Sequence, residues 1–276
     1  MHLIRLMFQP SWTRPKREMA PWEDRSAPHP IIPPPEPRNH AETAEAARGA
    51  GANDPPRAPE SDPGAAGAGA HGFARTSRWS LLAQTTPADA SPATVSFERH
   101  HTGETSLLYP HSFCARLDVV VGTELHLSLT LINEDDHPFT IEAAMHTYLR
   151  VGDVKDLSIE GLDGAPYYDK IKERRGTQCG DLAAVGPLDR IYTTTQPVHV
   201  VDPRLGRRII VDKSGSGSTI VWNPWAQAAA SMTDVGEGEW QHFVCVETAA
   251  VRERALTLRP GHPHIMTQTL AVETLE

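Results

Sequence analysis

Residues 71–276 predict an all-β protein built as an antiparallel sandwich. Three observations carry that prediction. Apolar residues recur with a period of two, the period at which a strand turns successive side chains to opposite faces. Gly-, Pro-, Asn- and Asp-rich turns interrupt these runs at short intervals. Only residues 225–232 suggest a helix, and that one is short. Many short strands with frequent turns and little helix belong to sandwiches.

Taken in order, Trp79-Ser-Leu-Leu-Ala83 and Ala93-Thr-Val-Ser-Phe97 are short strand candidates separated by a Pro/Asp/Ser-rich turn. The clearest hairpin follows. Phe113, Ala115, Leu117, Val119 and Val121 alternate with polar or small residues up to Gly122-Thr123, and Leu125, Leu127, Leu129 and Leu131 alternate with His126, Ser128 and Thr130. Two such segments around a Gly-containing turn predict an antiparallel pair with one buried face. Residues 133–138 form the next turn. In the run that follows, Phe139, Ile141, Ala143 and Met145 share one face, and His146 lies on the other, at the expected end of the strand. Arg208-Ile-Ile-Val211 and Ser218-Thr-Ile-Val-Trp222 flank a Ser/Gly segment that reads as another hairpin. Phe243-Val-Cys-Val-Glu-Thr248 has the texture of a strand buried on both sides. Ala255-Leu-Thr-Leu258 and residues 264–272 are strands on either side of the turn Pro260-Gly261.

Residues 1–70 differ in kind. They hold 13 of the 24 prolines, including Pro33-Pro34-Pro35, followed by Ala/Gly-rich runs. A segment with so little apolar periodicity cannot offset the entropy of ordering, so disorder is expected, with no independent domain. Its proline-rich part could offer a polyproline II ligand to a partner. The opening Met1-His-Leu-Ile-Arg-Leu-Met-Phe8 is interrupted by Arg5 and ended by Pro10, without the apolar core and cleavage site of a secretory signal.

Composition narrows the function classes. A formal charge of −9 with no Lys/Arg-dense segment argues against nucleic acid or an anionic membrane as partner. No stretch approaches the roughly 18 apolar residues of a membrane-spanning helix. Cys114, Cys179 and Cys245 lie far apart and outside any ligand spacing, which suits a reducing compartment, and the cytoplasm is the expected location.

Candidate chemistry concentrates in few residues. His146, at a strand end, suits a proton donor or acceptor, because imidazole titrates near neutrality. A half-buried histidine bonded to backbone is the alternative. Glu247 sits inside an apolar strand, where burial would raise its pKa toward the range of a general base. A strand-edge carboxylate facing water is the alternative there. Asp189 reads as a loop acid, and Arg75 as an anion or hydroxyl donor. The 14 histidines invite a metal, yet His100-His101 and His262/His264 show no matching acids or thiols in sequence, so no metal site is expected. Gly215 and Gly217 precede no helix pattern and make no phosphate loop.

Six segments together resemble a family. His71-Gly-Phe-Ala-Arg75, Tyr109-Pro-His111, Met145-His-Thr-Tyr148 with Val151-Gly-Asp153, Asp189-Arg-Ile-Tyr192, Val221-Trp-Asn-Pro-Trp225 and Val244-Cys-Val-Glu-Thr248 stand in the order found in the glucose-6-phosphate 1-epimerases. These are hexose-6-phosphate mutarotases related to aldose 1-epimerase. The resemblance implies a galactose-mutarotase-like β-supersandwich acting on a hexose 6-phosphate, with no metal or organic cofactor, and a monomer is the expected form. It implies His146 as the general acid at the ring oxygen and Glu247 as the general base at the anomeric hydroxyl. Arg75, Asp189 and His71 would bind substrate.

The family's strands before the His71 segment, including an Arg-Gly-Gly stretch, have no counterpart in residues 1–70. The resemblance therefore implies an N-terminally incomplete sheet with missing edge strands. Two further readings stay open: a non-catalytic sugar-phosphate-binding or regulatory sandwich that has lost part of its site, and an unrelated β-sandwich interaction module. The last requires His146 and Glu247 to lie too far apart for one hexose to bridge.

Overall fold

The computed structural model describes residues 3–10, 71–87 and 91–275, the first of these as backbone only. Among the described residues, two antiparallel sheets account for nearly all regular structure. In chain order the strands are β1 (Leu3–Pro10), β2 (Ser80–Thr85), β3 (Ala93–His100), β4 (Phe113–Val121), β5 (Leu125–Asn133), β6 (Phe139–Arg150), β7 (Ser158–Glu160), β8 (Pro166–Asp169) and β9 (Arg174–Thr177). There follow β10 (Leu182–Ala183), β11 (Leu188–Thr193), β12 (Val198–Asp202), β13 (Arg207–Ser214), β14 (Ser218–Asn223), β15 (Phe243–Ala250), β16 (Leu256–Leu258) and β17 (Pro263–Thr274). The first sheet runs β1-β6-β15-β14-β11-β8-β9, with β16 also on β6. The second runs β10-β7-β12-β13-β17-β5-β4-β3-β2.

The alternation in sequence becomes the core. Leu127, Leu129 and Leu131 from β5 meet Phe139, Ile141, Ala143 and Met145 from β6 in one buried cluster. A second cluster joins Val221, Val244 and Val246 of the first sheet to Val200, Ile209, Val211 and Leu270 of the second. β6, β14 and β15 of the first sheet thus turn one face to the core, and the other face is left to carry a site. The short helix is present as Trp225–Ala229. No helix of the described residues is long and apolar enough to cross a membrane.

Four expectations need revision. β6 runs on to Arg150, because Tyr148 to Arg150 keep pairing with β15, so His146 stands inside the strand instead of at its end. Leu3–Pro10 pairs with β6 from Tyr148 to Ile141, so part of the segment expected to lack strands supplies an edge strand beside the site. That apolar run has the alternation that an unpaired edge of β6 would recruit. The rest of the segment expected to be disordered, residues 11–70, lies outside the described residues.

The third revision concerns β13 and β14, which are no hairpin. β13 pairs with β12 and β17, β14 with β11 and β15, so the chain changes sheets between them. Gly215, at φ 68°, makes the crossing, and a Cβ there would stand 1.8 Å from the Ile265 carbonyl oxygen. The Lys213 ammonium donates to the Thr194 and Ser218 carbonyls on the far side of the crossing. Fourth, Asp189 lies in β11 opposite Trp222, no loop acid at all.

Candidate active site

The solvent-side face of the first sheet carries the residues the sequence singled out. Register places His146 on β6 next to β15, whose Glu247 pairs with Ile220 of β14. One step further, Asp189 of β11 lies opposite Trp222. His146 Nε2 stands 3.4 Å from Glu247 Oε1, and the two side chains are only 7% and 3% exposed. An imidazole and a carboxylate are therefore held together out of bulk water, too close for the unrelated-module reading.

Backbone pairing of β6 with β15 holds on both sides of this pair, at Ala143 to Met145 and at Tyr148 to Arg150. A buried polar link from the other sheet fills in behind. Gln268 of β17 accepts from the Thr147 hydroxyl and donates to Thr248 Oγ1 at 3.0 Å and to the Val246 carbonyl at 3.4 Å. Such satisfied buried groups fix side chains in one arrangement.

Electrostatics divide the roles. Burial pushes the Glu247 carboxyl well above the ordinary carboxylate range; the Asp189 charge pushes the same way and Lys170 opposes. Glu247 Oε2 is buried without a hydrogen-bond partner among the described residues, so it is available to a ligand proton. Asp189 is also raised by burial, against the pull of Lys170, whose ammonium lies 2.8 Å away. A carboxyl with a raised folded pKa adds stability below its unfolded pKa, and that stability is lost as pH rises through the folded value. Melting temperature of the wild type should therefore fall, relative to Glu247→Gln, as pH is raised from about 4 through neutrality. Parallel curves in differential scanning calorimetry would show that Glu247 titrates normally.

Around the pair stands an aromatic wall. His146 stacks on Tyr148 with centroids 4.7 Å apart and meets Trp222 edge-on at 5.7 Å; Phe243 packs on Tyr148 and Trp222. His71 meets His146 edge-on at 5.7 Å. It holds φ 72°, followed by Gly72 at φ 65°, a conformation uncommon among non-glycine residues. Ala144, Ile220 and Ala249 form a small apolar floor between strands, with Ile191 and Trp222 against it.

Of the five residues expected, His146, Glu247, Asp189 and His71 form one connected group. Arg75 is exposed on the helical turn Ala74–Thr76, four residues past His71. Sequence reasoning missed Lys170. Its only local signal is alternation with Tyr168 at the end of β8. Tyr148 and Trp222 lay within recognised segments, and only the sheet register shows them framing His146.

The aldose 1-epimerase family profile matches residues 46–270. A protein of Cenchrus ciliaris named "putative glucose-6-phosphate 1-epimerase" is 35% identical over 201 residues, covering 69% of this chain and 61% of that one. One of the same name from Escherichia coli K12 is 32% identical over 198 residues, covering 70% and 65%. The chain thus spans less than two thirds of the length of these relatives. Among solved structures, a "putative mutarotase" from Salmonella typhimurium is similar with a TM-score of 0.70 and 27% identity over 76% of this chain and 69% of that one. A galactose mutarotase related enzyme from Lactobacillus acidophilus, 14% identical over 76% of each chain with a TM-score of 0.60, shares the fold. Together with the profile match, which takes in His71, His146, Asp189 and Glu247, these likenesses place the chain in the aldose 1-epimerase family.

Proposed function

We propose that the protein interconverts the α and β anomers of a hexose 6-phosphate by acid–base ring opening and closure, as a glucose-6-phosphate 1-epimerase. The observation that carries this reading is the buried His146–Glu247 pair, 3.4 Å apart on one sheet face. A hemiacetal carbon bears both the ring oxygen and the anomeric hydroxyl, so its acid and base must lie close together. Glu247 takes the proton of the anomeric hydroxyl while His146 gives one to the ring oxygen, and the C1–O5 bond breaks. The resulting aldehyde turns about C1–C2 and recloses on its other face. Each proton then returns to its donor, and no group is consumed. Both groups act best with pKa values near the working pH, a condition that burial and the Asp189 charge favour for Glu247.

Asp189, with Lys170 beside it, and His71 are the proposed partners of the sugar hydroxyls, and Arg75 the proposed donor to the sugar or its phosphate, for which a guanidinium fork is well suited. The reaction needs neither metal nor organic cofactor. Cys114 and Cys179 form no disulfide among the described residues, in keeping with a reducing compartment, and the proposed form is a cytoplasmic monomer.

Exchange NMR on α-glucose 6-phosphate with the folded chain tests this reading. Acceleration over buffer is expected; binding without acceleration would favour the non-catalytic sugar-phosphate-binding alternative. Lys170→Met gives a finer check. Lys170 is partly exposed, so the fold should survive its loss. Its charge holds the Glu247 and Asp189 carboxyls down, so removing it raises the Glu247 pKa. The acidic limb of the kcat/KM profile should then move to higher pH, with a several-fold loss at neutrality. An unmoved limb would mean that Glu247 is not the titrating base.

A further inference from the structure

At the other end of β6 from the reacting pair, three ligand-bearing side chains converge. His111 Nδ1, an Asp135 oxygen and a His137 ring nitrogen lie within 4.8 Å of one another. The His111 Nδ1 to Asp135 Oδ2 separation is 2.9 Å, and His137 Nε2 to the same oxygen is 4.0 Å. We propose that His111, Asp135 and His137 form a binding site for a zinc-like divalent transition ion, which ties the Tyr109–His111 segment to the turn between β5 and β6.

The distances suit such an ion. Zinc bonds of about 2.0–2.2 Å at tetrahedral angles put ligand atoms about 3.3 Å apart. The observed separations bracket that value, and small side-chain rotations reach it. Two imidazoles and one carboxylate are a borderline donor set that favours zinc, cobalt or nickel over the all-oxygen coordination of calcium or magnesium. Three protein ligands leave a fourth position for water.

The ligands are also held from behind, as metal ligands characteristically are. Asp135 Oδ1 accepts the Ser112 amide at 2.9 Å, which leaves Oδ2 turned toward the histidines. His137 Nδ1 lies 2.8 Å from Asp136 Oδ1; with its proton on Nδ1, the ring presents the Nε2 lone pair to the site. His111 is 9% exposed and stacks on Phe139 at 4.5 Å, which fixes its ring plane. Beneath the turn, the fully buried Asn133 accepts the Asp135 amide at 2.7 Å and donates to the His137 and Leu258 carbonyls at 2.8 and 2.9 Å. One side chain therefore sets the spacing of two ligands. His146 lies seven residues along β6 from Phe139, about 23 Å at the rise of a strand, so the ion would take no part at the reacting pair.

A second cluster, Glu98, His100 and Cys114, lies on β3 and β4, and corrects the expectation that His100 has no matching acid or thiol. It is the weaker candidate. The Cys114 S–H donates to Glu98 at 3.6 Å, and burial together with the surrounding carboxylates pushes that thiol up to about 11, so it stays protonated.

The test uses the whole chain, stripped with chelator and titrated with Zn2+ by calorimetry and with Co2+ by visible spectroscopy. One saturable equivalent is expected, with a cobalt d–d spectrum free of sulfur charge-transfer bands and a rise in melting temperature. His137→Ala, at an exposed position that should leave the fold intact, abolishes that equivalent. Asp136→Ala weakens it by about 10- to 100-fold, the usual effect of removing an outer-shell partner. Absence of saturable binding overturns the proposal, as does an equivalent that survives in His137→Ala. A sulfur-to-cobalt band overturns it in favour of the Cys114 cluster.

Discussion

Glu247→Gln should slow anomer interconversion by about 10²- to 10⁴-fold, the range over which a positioned general base accelerates proton transfer. The substitution keeps size and hydrogen-bonding capacity and removes only the basic oxygen. The folded protein should lose nothing by it: the carboxylate is buried 3.4 Å from one imidazole, and one of its oxygens has no hydrogen-bond partner among the described residues. Charges held this way cost free energy, so the amide should melt no lower than the wild type at neutral pH. Activity thus falls while stability holds. Exchange NMR gives the rate, calorimetry the stability, and saturation of the residual rate or direct titration the affinity for glucose 6-phosphate. A Gln variant that turns over at the wild-type rate would remove Glu247 from the chemistry. One that fails to bind sugar would assign it to recognition instead.

The site was legible in sequence where a residue type conflicted with its surroundings. A glutamate amid Phe243, Val244, Cys245 and Val246 signals burial through its neighbours alone, and burial implies a raised pKa. The β4–β5 hairpin and the core face of β6 were legible for a related reason, since four or five repeats of a period-two pattern leave no other register. Strands β7 to β12 were not legible. They run two to six residues, too few repeats to stand out from the turns between them. The change of sheets at Gly215 was misread because a Ser/Gly segment between two strands looks the same whether the strands pair or part. Lys170 was hidden for a different reason. Its meaning depends on lying across from Asp189, a relation made by β8 pairing with β11 and invisible to any local window.

His146→Asn should cost a loss of similar size, and combining it with Glu247→Gln distinguishes one concerted site from two separate contributions. Ring opening needs a proton delivered to one oxygen as another is taken from its neighbour. If both transfers belong to the same step, losing either group already forfeits most of the acceleration. The double variant should then be barely slower than the worse single variant, as in other sites whose residues act as a unit. Independent roles would instead multiply, giving a combined loss near the product of the two. The pH profiles separate the groups further: if Glu247 is the base and His146 the acid, Glu247 sets the acidic limb and His146 the alkaline one. His146→Asn should flatten the alkaline limb alone, and Lys170→Met should shift the acidic limb alone. His146 also stacks on Tyr148 and meets Trp222 and His71, so a purely structural role would lower the rate too. A packing defect, however, reduces activity at every pH, and only loss of the acid removes one limb.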